Sequence, residues 1–185
     1  MDPYRPEAWH DFFIAMAGAS AALTGLLFVG LSMHIRYIAS DADYRQMARG
    51  SLLGLLAVLV LSMVVLIHQP ASWAGIEIAL IGALFIVAQG GYELVGFRRA
   101  RWRVSRSILT RVGGGQLLAL LGVVAGAGIV FEAGPGLYAA ALISLAIVVW
   151  SLWNAWVLLI GVADDESAAA GVDQARPPPS RRFRK

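Results

Sequence analysis

A chain of 185 residues that is 58% hydrophobic, with a mean hydropathy of +0.68, carries more apolar surface than a soluble domain of its size can hide, which excludes an ordinary globular class and points to a polytopic membrane protein. There is no cysteine, so disulfides, thiolate metal sites and cysteine nucleophiles are excluded. The formal charge of +3 conceals a strong segregation of charge along the chain, carried by fourteen arginines and one lysine, a bias associated with GC-rich bacterial genomes.

The opening MDPYRPEAWHD has no basic n-region, and no A-x-A-like cleavage site follows the first apolar stretch, so the first helix is expected to stay in the mature protein. That stretch, FFIAMAGASAALTGLLFVGLSMHI over 12–35, contains no charged residue and is long enough to cross a hydrocarbon layer of ~30 Å. It is rich in small residues, and Gly18, Ala22 and Gly25 form a face expected to be a seam against the later helices. Ser40-Asp-Ala-Asp43 has capping-box spacing, which predicts a second helix starting near Asp41, with its membrane part over about 51–68. It should stop at Gln69-Pro70, because proline cannot continue the hydrogen-bond ladder. Ser72 is a candidate N-cap for a third span over 73–97. The fourth span is expected over 115–131, entered through a flexible Gly113-Gly114-Gly115, and the fifth over 137–162. The remainder, 163–185, turns acidic and then proline- and arginine-rich, and is expected to be a disordered cytoplasmic tail.

Lysine and arginine number one before the first span, three between the first and second, six between the third and fourth and five in the tail, with none in the other two loops. The positive-inside rule then places the N-terminus outside and the C-terminus in the cytoplasm, as an odd number of spans requires. A shift of 65 residues lays LLGLLAVLV on LLALLGVVA, Pro70 on Pro135 and Gln89 on Asn154, the pattern of a parallel repeat of helix hairpins. The expected fold is therefore an all-α membrane bundle of five helices.

No nucleophile elbow, phosphate loop, metal-ligand spacing or acid pair is present, so no catalytic, cofactor-binding or metal residue is assigned. The polar residues inside the spans form the candidate cluster: Thr24, Gln89, Glu93, Gln116 and Asn154. Such groups cannot face lipid cheaply and should turn inward and meet, either as interhelical glue or as a polar cavity with Glu93 as its ionisable member. Gly122 and Gly126 form a GxxxG face for close helix contact and leave open a membrane-protein partner or a second copy. Arg98, Arg99, Arg101, Arg103 and Arg106, with Trp102 among them, suit a membrane surface bearing anionic headgroups; topology explains them, so no nucleic acid is expected.

The segment WHDFFIAMAGASAALTGLLFVGLS resembles the first span of small bacterial multi-pass integral membrane proteins, which often begin with an FF…GA-x-AALTGLLFV segment. The resemblance implies a multi-span layout in the plasma membrane and brings no activity, site or substrate with it. The sequence favours a non-enzymatic accessory or regulatory membrane protein acting through helix contacts. The rival is a small transporter or channel that uses the polar cluster.

Overall fold

The computed structural model describes residues 3–99 and 106–174, with side chains outside 92–112, 166 and 168–174. A 3-10 turn, Pro6–Trp9, leads into α1 (His10–Met33) and a short α2 (Ile35–Ser40). There follow α3 (Ala42–Leu66), α4 (Ala71–Arg99), α5 (Arg106–Val130) and α6 (Leu137–Gln174), and the described residues contain no strand. Five segments are long and apolar enough to cross a membrane: Pro6–Met33, Ala42–Leu66, Ala71–Gly91, Gly113–Val130 and Leu137–Asp165. The protein is an all-α, multi-pass membrane protein. Large apolar side chains such as Leu26, Val87 and Leu142 stand outward, about 70% exposed, as lipid-facing residues do (70%, 71% and 67%).

Local chemistry explains the helix ends, with some departures from expectation. The N-cap of α3 is Asp41, whose carboxylate accepts from the backbone N–H groups of Asp43 at 2.7 Å and Tyr44 at 3.2 Å. Ser40 instead donates to the Tyr37 carbonyl at the end of α2. Ser72 does not cap α4; the Pro70 carbonyl accepts from Trp73 and Ala74 and starts that helix. Between α5 and α6, Ala133 N–H bonds the Gly128 carbonyl and Glu132 N–H bonds that of Ile129, a Schellman stop. Glu132 takes the left-handed position, φ 50°, that glycine usually fills there. Helix α5 runs through Gly113–Gly115 without a break, and α6 runs past 162 as far as Gln174. The alanine-rich ESAAAGVDQ extends the helix where the tail was expected to be disordered; 175–185 lie outside the described residues.

Both ends of the bundle are tied. At one end the Pro3 carbonyl accepts from Leu137 N–H, capping α6, and Tyr4 Oη donates to the Gly134 carbonyl at 2.6 Å. Trp9, 5% exposed, meets Tyr138 edge-on at 4.5 Å, and with Phe13, Val65 and Leu137 it forms one apolar core. A second core at the other end joins Leu27 and Leu31 of α1 to Leu55 of α3 and Leu158 of α6. There Tyr44 Oη donates to Asp165 at 2.7 Å, holding the start of α3 against the far part of α6. Arg5 lies at the Trp9 end, whereas Arg36, Arg45 and Arg49 lie at the Tyr44 end.

Helices α4 and α5 share the most extensive contact of any pair among the described residues. A Cβ built on Gly126 would lie 2.5 Å from the Gly75 carbonyl and 2.6 Å from Ala79 N, and one on Gly82 would lie 2.9 Å from the Ala119 carbonyl. Only glycine permits this backbone approach. The expected seam on α1 is placed differently. Gly18, Ala22 and Gly25 face outward, and a Cβ on Gly18 or Gly25 would meet nothing within 4 Å. The buried stripe of α1 is instead Phe13, Met16, Ser20, Leu27 and Leu31, because its bulky residues fill the groove of α3 and α6 better than its small ones do.

Gly126→Ala should therefore destabilise the protein by about 1–3 kcal/mol, through overpacking against backbone atoms that cannot give way. Gly18→Ala should stay within about 0.5 kcal/mol of the parent, as surface substitutions do. Unfolding of both variants in detergent with rising dodecyl sulfate measures the difference.

Candidate functional site

Helices α3 to α6 do not close fully on one another. Between them lies a cavity of about 100 Å³, room for about three waters at liquid density. The residues of α3 that line it run from Gln46 to Leu61, a rise of about 22 Å along the helix. The wall has two halves. Toward the Trp9 end it is apolar, made by Leu61, Ile78, Ile81, Phe85 and Ile143. Toward the Tyr44 end it is polar, made by Gln46, Ser51, Gln89, Trp150, Ser151 and Asn154.

Small residues on α3 create the space. Gly50, Gly54 and Ala57 fall on the cavity face at helical spacing. A Cβ on Gly50 would lie 2.8 Å from Gln89 Nε2, so the missing side chain is what admits the Gln89 amide. Gly54 does the same for Ser151, whose Oγ would collide with an added Cβ. On α5, Gly114 seats the Trp150 indole, and a side chain there would strike the ring. The glycine run of α5 is thus a seat for an aromatic ring inside a helix, where a flexible entry was expected.

The sequence-derived cluster is divided by the structure. Gln89 and Asn154 line the cavity. Thr24 does not join them: α1 contributes nothing to the wall, and Thr24 Oγ1 donates to the Ser20 carbonyl of its own helix at 2.7 Å. Gln116 is half-buried and faces Gly90 of α4, its Nε2 3.6 Å from where a Cβ would stand, and it is not part of the wall. The side chain of Glu93 lies outside the described residues, as do Arg101, Arg103 and the side chains of Arg98, Arg99 and Arg106. Gly122 opens onto the cavity, and Gly126 packs against α4. Glu77 accepts from Gln69 Nε2 at 2.7 Å.

Gln46, Ser51 and Ser151 were missing from the candidates: Gln46 lies in the part of the second helix expected to precede the membrane, and the two serines are small polar residues within apolar spans. With α3 starting at Ala42, the spacing Gln46, Gly50, Gly54, Ala57, Leu61 reads as one face of small residues that ends in an amide.

The hydrogen bonding separates two kinds of polar residue. Ser62, Ser144 and Asn154 each donate to the carbonyl four residues earlier in their own helix, at 2.8, 2.8 and 3.0 Å. By contrast, Gln46 Nε2, Ser51 Oγ and Gln89 Oε1 are buried with no partner. Gln89 is 8% exposed and Ser51 1%. An unmet buried polar group costs about 1–3 kcal/mol. Three such atoms belong to residues of one cavity wall.

Amides and hydroxyls bind by hydrogen bonding; they neither hold a charge nor exchange protons near neutral pH. The described residues also contain no group of three or more His, Asp or Glu that could hold a metal. The arrangement is suited to binding through hydrogen bonds.

A binding role and a gluing role make opposite predictions for Gln89→Met, which keeps the volume and removes the unmet oxygen. The parent's unfolding midpoint should be held or raised, because a cost of about 1–3 kcal/mol is relieved. A clear loss of stability would assign Gln89 to helix association.

Against known proteins, the chain matches no family model, no curated protein and no solved structure.

Proposed function

We propose that this chain is a small membrane carrier or channel for an uncharged solute, which it takes into the cavity between α3, α4, α5 and α6. The observation that carries this reading is the set of three buried, unpartnered polar atoms on residues of one cavity wall. Among the described residues no charged side chain lines that wall. An ion entering it would lose its hydration without compensation, so the passenger is neutral. The accessory role favoured by the sequence needs a dry, fully paired cluster, and the unpaired atoms count against it.

In this proposal the protein sits in a bacterial plasma membrane with its N-terminus outside. The polar half of the cavity then faces the cytoplasm. Arg36, Arg45, Arg49 and the arginines over 98–111 lie against anionic headgroups on that side, each contributing about 1 kcal/mol near such a surface.

The test is solute flux into reconstituted vesicles, followed by light scattering after a hyperosmotic jump in urea or glycerol. Vesicles holding the protein should recover volume faster than protein-free ones, and Gln89→Met at equal incorporation should slow the recovery. Potassium and chloride should not pass. Recovery at the protein-free rate for every neutral solute would refute the carrier reading.

A further inference from the structure

We infer that the cavity selects its solute by a neutral group that both donates and accepts a hydrogen bond, an amide or a urea, held between Gln46, Ser51 and Gln89. The inference rests on the solute-carrier reading above and adds to it the chemical class of the solute.

The free groups define the complement. Gln46 Nε2 is a donor without an acceptor, and Gln89 Oε1 is an acceptor without a donor. Ser51 Oγ can serve as either. A carbonyl alone would meet the first and leave the second unmet; an ether or ketone fails in the same way. An amide or urea satisfies both ends at once, as a hydroxyl does, and the amide does so with its donor and acceptor on separate atoms that can reach two side chains. Elsewhere on the wall Phe85, Ile81 and Ile147 offer apolar contact, so a small alkyl substituent is accommodated beyond the polar head.

Size is limited as firmly as polarity. A cavity of about 100 Å³ holds on the order of four or five non-hydrogen atoms. Ligands that small reach affinities no better than about the micromolar range, which suits a carrier that must release what it binds.

Gly50 is the positioning residue. Its hydrogen leaves the place that the Gln89 amide occupies, and a methyl group there would stand 2.8 Å from Gln89 Nε2. Gly50→Ala must therefore displace the Gln89 amide without removing either polar group.

The experiment compares acetamide with acetone, two neutral solutes of equal heavy-atom count, by ligand-observed NMR on the purified full chain in detergent. The parent should bind acetamide at least about tenfold more tightly than acetone, the worth of about one well-made hydrogen bond. Gln89→Met should bring that ratio close to one and Gly50→Ala should lower it, whereas Gln46→Met, which removes the donor that both carbonyls use, should weaken both solutes and leave the ratio near the parent's. Gly18→Ala, with open space around it, should leave it unchanged. Equal binding of the two solutes by the parent overturns the inference while the carrier reading stands, because the cavity would then select by size alone. Absence of binding for both, together with absence of flux, overturns both.

Discussion

In a hydrocarbon layer there is no water to complete an unfinished hydrogen bond, and the rest of this structure follows from that constraint. The backbone meets it by forming helices. Most polar side chains within the spans meet it by turning onto their own helix, as Thr24, Ser62, Ser144 and Asn154 do with the carbonyl four residues before them. A residue satisfied in this way needs no neighbour and says nothing about function. The exceptions carry the information: Gln46, Ser51 and Gln89 keep unmet atoms, and all three line one cavity. Ser20 Oγ on α1 is also unmet, and nothing in the structure explains it.

An open cavity in a small bundle needs support around it. The N-terminal segment, through Pro3, Tyr4 and Trp9, ties α1 to the start of α6 at one end. Tyr44 and Asp165 tie α3 to α6 at the other. Close backbone packing of α4 on α5 through Gly75, Gly82 and Gly126 makes one wall a rigid pair. With these contacts fixed, glycines 50 and 54 can withhold side chains from the centre without the helices collapsing into the gap. The same residue type thus closes one interface and opens another. What differs is whether backbone or a polar side chain occupies the space opposite.

The architecture was legible in the sequence because length, apolar composition and proline positions act locally. The spans and their turns at Pro70 and Pro135 follow from those signals. Which face of each helix turns inward is settled by neighbours, and there the small-residue rule misled. Gly18 and Gly25 look outward because the bulkier Phe13, Leu27 and Leu31 fit the groove of α3 and α6. Gln89 and Asn154 were found because an amide deep in an apolar run is conspicuous. Gln46 was not, since it lies beside Arg45 and Arg49 in the first turns of the helix, ahead of the part expected to enter the membrane. The N-terminal lashing onto α6 was invisible as well, because it depends on contacts between residues more than a hundred positions apart.

The central claim is that a polar passage enters the bundle beside α3. Because the chain has no cysteine, single cysteines can report on it directly. Ala57 lines the cavity, whereas Val60, one turn further on and 41% exposed, does not line it and stands on the lipid-facing side. The thiolate is the nucleophile that attacks a methanethiosulfonate and expels its sulfinate, and it forms only where water reaches the sulfur. The account predicts that Ala57→Cys reacts with a small neutral methanethiosulfonate in native membranes and that Val60→Cys does not. Equal inertness of the two would contradict it.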